Sequence, residues 1–205
     1  MVCVWFFLFD PLWFSTIFGW YVFVSLFVSG ITTIQLVTIY LKSKGYLENV
    51  NSSHIHDLSK FMFGFSIFWT YLWFSQFMLI WYANIPEETV YFKIRSQGPY
   101  RGIFLFNLIV NFVCPFLILM KKSTKRNYAV ITFTAVLIIF GHWIDFYQMV
   151  MPGTVGTEPK LSWFEFGIPL LFVGLIMWGT GRYISRVSLL ARNHPFLKES
   201  MIHHT

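Results

Sequence analysis

The chain has 205 residues, of which 56% are hydrophobic and only 12% charged, against roughly 25% charged in ordinary soluble domains. That balance excludes a soluble globular domain and leaves an integral membrane protein. The formal charge of +6 does not point to nucleic acid, because the basic residues stand in short clusters at the ends of apolar runs, where they report topology.

Met1 to Phe9 is apolar and lacks the positively charged n-region of a signal peptide. Asp10-Pro11 suits a helix start, and the next charge is Lys42, so a first span is expected from about Leu12 to Leu41. That length exceeds the bilayer and predicts tilt or protrusion. Gly19, Ser25, Ser29 and Gly30 either let a neighbouring helix approach closely or are ordinary span composition. Lys42 to Ser59 reads as a polar loop, with Asp57 or Ser59 capping the next helix. His54, His56 and Asp57 lack a fourth ligand at recognisable spacing, so the loop is read as solvated rather than metal-binding.

Between Lys60 and Ala83 there is no charge, about the ~20 residues that cross a bilayer. This second span carries Tyr71, Ser75, Gln76 and Tyr82, polar groups that need partners on other helices. Its aromatic rings, Trp69, Trp73, Phe74 and Trp81 among them, suit core filling and interfacial belts. Pro86 followed by Glu87 and Glu88 predicts a short interfacial helix, with proline in its first turn and carboxylates at the positive end of its dipole. A third span is expected from about Gly102 to Met120, with Asn107 and Asn111 one turn apart on one face. Lys121, Lys122, Lys125 and Arg126 make a basic turn before a fourth span from about Asn127 to Val150, which holds His142 and Asp145. Met151 to Trp163, with Pro152, Gly153, Gly156 and Pro159, reads as a loop. A fifth span from about Phe164 to Ile184 leads to a basic tail with Arg182, Arg186, Arg192 and Lys198, ending in His203 and His204.

The expected fold is therefore all-α: a single polytopic helical bundle, residues 1–205, with about five transmembrane helices. Only Lys93, Arg95, Arg101 and Lys160 fall in the loops of one side, and the other eleven of the fifteen lysines and arginines face the opposite side. The richer side should be cytoplasmic, which puts the N-terminus on the periplasmic side and the C-terminus on the cytoplasmic side. At ~1.5 Å per residue, His142 then lies roughly 20 Å along the fourth span, with Asp145 one turn nearer the outside. Gln76, Tyr82, Asn107 and Asn111 reach a similar depth, and Glu165 tops the fifth span. The inner half offers little beyond Gln35, Thr132 and Thr134. An ionisable residue inside a span costs ~2.5–3.5 kcal/mol on insertion scales, which makes His142 and Asp145 candidates for proton handling. Pairing across helices as structural glue is the competing reading. Gln76, Tyr82, Asn107 and Asn111 are candidate polar lining of the same layer.

The two cysteines, Cys3 and Cys114, have no metal or cluster spacing, and CxxCH, GxGxxG and P-loop signatures are all missing from the sequence. Any redox centre is expected on another chain.

Four stretches, DPLWFSTIFGWYVF, HDLSKFMFGFSIFWTYLWFSQFMLIWYANIPEETVYF, GHWIDFYQMVMPG and NHPFLKESMIHH, resemble in that order the second NrfD-type (polysulfide-reductase-like) membrane subunit of alternative complex III. That family comprises bacterial quinol:cytochrome c oxidoreductases. Leu12 stands where the family typically has a histidine after Asp-Pro, and Met1 to Phe9 departs from the family's opening. The resemblance covers about Asp10 to Thr205 and implies the C-terminal half of a longer subunit. It also implies a chain without cofactors of its own, beside a paralogous NrfD-type membrane subunit and iron–sulfur and multihaem cytochrome c subunits, with quinol or menaquinol as the substrate of the assembly. A proton- or ion-translocating module and a membrane scaffold are the alternative roles.

Overall fold

The computed structural model describes residues 15–156, 162–189 and 195–203. The Asp10-Pro11 boundary and Leu12, together with Cys3, Pro159, Lys160, Arg192 and His204, lie outside them. Among the described residues the chain is helical, without strands. Its elements are α1 (Thr16–Ser43), α2 (Ser52–Ala83), α3 (Pro86–Ser96), α4 (Gly98–Leu119), α5 (Tyr128–Thr154), α6 (Trp163–Ile184) and α7 (Leu197–Met201). Five of them, α1, α2, α4, α5 and α6, are long and apolar enough to cross a membrane, and the protein is a multi-pass helical bundle.

Several helix boundaries differ from the sequence expectation, each for a physical reason. The loop after α1 is shorter than Lys42 to Ser59, because α1 runs to Ser43 and α2 begins at Ser52. The cap is neither Asp57 nor Ser59: the Asn51 side chain accepts from the backbone N–H groups of Ser53 and His54, 3.0 and 3.2 Å away. Asparagine before an apolar run satisfies the free amides of a first turn as well as aspartate does. Met151 to Thr154 is helical too, so α5 passes through Pro152 where a loop was expected. The expected helix at Pro86 is present, with Glu87 and Glu88 in its first turn and Lys93 and Arg95 in its last.

α4 is not a uniform helix. Its residues 109–113 wind as a π-helix, and Pro115 follows directly in the next turn. Proline lacks the N–H that would bond the carbonyl four residues back and crowds that carbonyl, so a wider turn before it relieves the conflict. The widened turn buries Asn107, Val110 and Asn111 together on the inner face.

α1 and α2 pack against each other along their length. A stripe on α2 at Met62, Ser66, Trp69, Leu72, Gln76 and Ile80 is buried, at the three- and four-residue spacing of a single helix face. It meets Phe18, Tyr21, Val22, Val24 and Val28 of α1. At the other end Gln35 donates to Ser59 Oγ at 2.6 Å and to the Ile55 carbonyl at 3.2 Å, tying the two helices together. Thr132 and Thr134 return their hydroxyls to their own helix, at Tyr128 and Val130. The short tail helix α7 folds back onto the start of α2. His54 Nε2 lies 3.0 Å from Ser200 Oγ, His203 Nε2 lies 2.8 Å from Asp57 Oδ2, and Asn51 Nδ2 donates to the His203 carbonyl at 2.7 Å. Among the described residues no group of three or more histidine, cysteine or acidic side chains is placed to hold a metal.

Candidate functional site: a buried carboxylate shared by four helices

Four helices meet at the side chain of Asp145, which is 1% exposed. From α1, Tyr21 donates its hydroxyl to Oδ1 and Ser25 donates to Oδ2 at 2.9 Å. From α2, the indole N–H of Trp69 reaches Oδ2 at 3.1 Å and also Ser25 Oγ at 2.8 Å. From α4, Asn107 Nδ2 donates to Oδ1 at 2.8 Å. Each carboxylate oxygen thus accepts two bonds. This donor set suits the carboxylate form, which accepts at both oxygens.

The shell around these donors is also built. Asn111 Nδ2 donates to Asn107 Oδ1 at 2.5 Å, and this aims the Asn107 amide nitrogen at Asp145. Asn111 in turn lies against Gly141 of α5: a Cβ there would collide with Asn111 Oδ1 and sit 2.7 Å from Val110 Cγ1. Glycine at 141 is therefore what lets the widened turn of α4 come close enough for Asn107 to reach the carboxylate. Phe18, Tyr21 and Trp69 pack as rings around the α1–α2 side of the site.

His142 is buried beside this centre but not bonded to it. Its Nδ1 lies 3.9 Å from Asp145 Oδ2, beyond hydrogen-bond range, and has no other hydrogen-bond partner. The ring stands edge-on to Trp69, with centroids 5.7 Å apart. His142 and Asp145 do share one face of α5, as their spacing requires.

A cavity of about 20 Å³, room for one water-sized occupant, lies beside the carboxylate. Its wall contains Asp145 and Asn107 together with Gln76, Arg95 and Gln148. The side-chain nitrogen of Gln76 and the side-chain oxygen of Gln148 are buried there without a hydrogen-bond partner. Arg95 is 3% exposed and reaches in from α3. Its Nε and one terminal nitrogen donate to the carbonyls of Gln148 and Met149, at 3.0 and 2.9 Å, and its other terminal nitrogen to the Tyr91 carbonyl at 2.9 Å. The guanidinium stacks 3.5 Å above the Tyr91 ring. The Gln148 carbonyl is the one that Pro152, four residues on, cannot bond. Arg95 thus completes the last turn of α5 and at the same time brings a positive charge to the cavity that holds Asp145.

The residues singled out in the sequence separate into two groups. Asp145, His142, Gln76, Asn107 and Asn111 come together in one buried layer, whereas Tyr82 is 85% exposed on the outer surface of α2. Glu165 also stays out of the layer and caps α6, accepting from the Ser162 backbone N–H at 2.5 Å. Sequence reasoning missed Tyr21, Ser25, Trp69, Arg95 and Gln148 as site residues. One signal was available, since Tyr21 and Ser25 share a face at four-residue spacing; Pro152 calls for a donor to residue 148 only once the structure shows it inside a helix. Compared with known proteins, the chain matches no family model and no curated protein sequence.

Proposed function

We propose that this chain is a membrane subunit of a quinol-oxidising respiratory complex of the alternative complex III type, and that Asp145 handles protons in it. The motif resemblance supports the family. The observation that carries the local role is a carboxylate buried among four helices on the wall of a small cavity, which it shares with a buried arginine and two unsatisfied amides. Oxidising a quinol releases two protons for two electrons, so a carboxylate near such a site serves as an acceptor and relay. His142, 3.9 Å away with a free ring nitrogen, is the neighbouring group placed to exchange a proton with it after a small rotation. Quinol is the substrate of the assembly, and haem and iron–sulfur clusters reside on partner subunits. The N-terminus is periplasmic and the C-terminus cytoplasmic. Partner attachment gains support from α6, which buries no residue within the chain.

A second reading, a cofactor-free scaffold, draws on the completeness of the donor set at Asp145. Asp145→Asn separates the two. The asparagine oxygen keeps Tyr21 and Asn107, its amide donates to Ser25 Oγ, whose hydroxyl turns to accept, and Trp69 gives up its bond to the carboxylate but keeps Ser25 Oγ. Assembly is then retained while the ionisable group is lost. Proton handling predicts an assembled complex with at least tenfold slower quinol oxidation. Normal turnover and proton release in an assembled variant would make Asp145 structural. Orientation is checked in a Cys3→Ser background by cysteines at Lys198 and Glu87 with an impermeant reagent applied from the periplasm: only the Glu87 position is expected to react. Isolation of the chain from native membranes without multihaem and iron–sulfur partners would overturn the family assignment.

A further inference from the structure

On the outward side of α2 runs a groove of about 620 Å³, lined by Asp57, Lys60, Phe61, Gly64, Phe65 and Phe68, within the roughly 300–1,000 Å³ of small-ligand sites. Its polar end is the start of α2, and everything beyond Lys60 is apolar. From Asp57 to Phe68 the helix rises about 16 Å, the depth of one leaflet of a ~30 Å hydrocarbon core. Gly64 forms the floor, with open space where a Cβ would stand, and the exposed ring of Phe61 forms one wall. The length and polarity gradient are those of a phospholipid lying along the helix, head at Lys60 and one acyl chain over Gly64.

Charge at the polar end selects the headgroup. Lys60 bonds Asp57 at 3.0 Å, but that carboxylate is shared with His203. Lys125, at the turn between α4 and α5, covers the ring of Phe63 at 4.5 Å. Its pKa is lowered, first by burial and then by repulsion from Lys60. Two lysines therefore repel each other at headgroup depth, only Lys60 being bonded to a carboxylate, and an added anion relieves that repulsion. We propose that this groove is a binding site for an anionic phospholipid, with its phosphate at Lys60 and Lys125 and an acyl chain along Phe61, Gly64, Phe65 and Phe68. The site is separate from the Asp145 cavity and independent of any role in quinol oxidation.

The test uses the full chain purified in detergent, supplied with phosphatidylglycerol, phosphatidylcholine or a neutral isoprenoid quinone, with retained molecules counted by native mass spectrometry. The wild type is expected to retain phosphatidylglycerol preferentially. Lys60→Gln should lower that preference roughly fivefold, the effect of one cation at an anionic headgroup, and Lys60→Arg should restore it. Gly64→Leu should fill the slot and abolish retention of both phospholipids at unchanged helicity. Should that variant lose helicity, Phe61→Ser, at an exposed wall position, is expected to weaken retention instead. Equal retention of the two phospholipids, preference for the quinone, or indifference to both the lysine and the groove substitutions would overturn the proposal.

Discussion

Helices α5 and α6 are both apolar enough to cross a membrane, yet 44% of the most apolar stretch of α5 is buried within the protein and none of α6. Hydrophobicity does not distinguish them, since it delivers both to the bilayer and gives neither a reason to prefer a helix over lipid. The difference lies in what they carry. α5 presents Gly141, where another backbone approaches closely, and Asp145, which collects donors from three other helices. α6 has glycines at 167, 174, 179 and 181 with nothing packed over them, and it touches the bundle through Phe166 against Trp143, ring centroids 5.0 Å apart. Cohesion inside this membrane protein is thus a matter of polar and close-packed contacts, and it stops where they stop.

The sharpest way to break the contrast is to remove the hub. Asp145→Ala should lower unfolding stability in detergent by roughly 2.5–7 kcal/mol, taking its four bonds at about 0.6–1.7 kcal/mol each; a change under about 1 kcal/mol would mean that the four helices are held by packing alone. Next comes Arg95→Met, which strips the donors from the Gln148, Met149 and Tyr91 carbonyls. Its expected cost is about 1.5–3 kcal/mol, with faster proteolysis around α3 as the local readout. Gly141→Ala should cost about 1–3 kcal/mol by forcing α4 and α5 apart. Because Asn107 then withdraws, the Asp145→Asn change should lose part of its effect in that background. At the small end, Leu171→Ala on α6 should shift the stability of the isolated chain by less than about 0.5 kcal/mol. A large effect there would show that α6 belongs to the same cohesive unit as α5.

The number and rough placement of the spans were legible because a ~20-residue apolar run is a strong signal in its own right. The buried layer was partly legible, since Asp145, Asn107, Asn111 and Gln76 are polar residues in apolar surroundings and have few other reasons to be there. Their partners were not, because Tyr21, Ser25 and Trp69 are common in any membrane helix and acquire meaning only when another helix brings an acceptor to them. Arg95 was hidden for the opposite reason. It stands in a charged segment and counts as a topology signal until the orphaned carbonyl at Gln148 is seen beneath it. Tyr82 shows what reading depth without rotation leaves out: it lies on the exposed face of α2, away from the buried layer. Likewise, Pro152 reads as a loop residue until an arginine from outside the helix supplies the missing bond.

The carboxylate hub also sets a schedule for making the protein. Tyr21 and Asp145 are 124 residues apart in the chain, so at about 5–20 residues per second of synthesis the first donor waits roughly 6–25 s for its acceptor to emerge. Throughout that interval Tyr21, Ser25, Trp69 and later Asn107 sit in the nascent membrane domain with no carboxylate to receive them. The insertion machinery, a chaperone or a transient partner helix must shelter them. An error in inserting the fourth crossing would then strand donors on three helices already made, which turns a single late event into the checkpoint for the whole bundle.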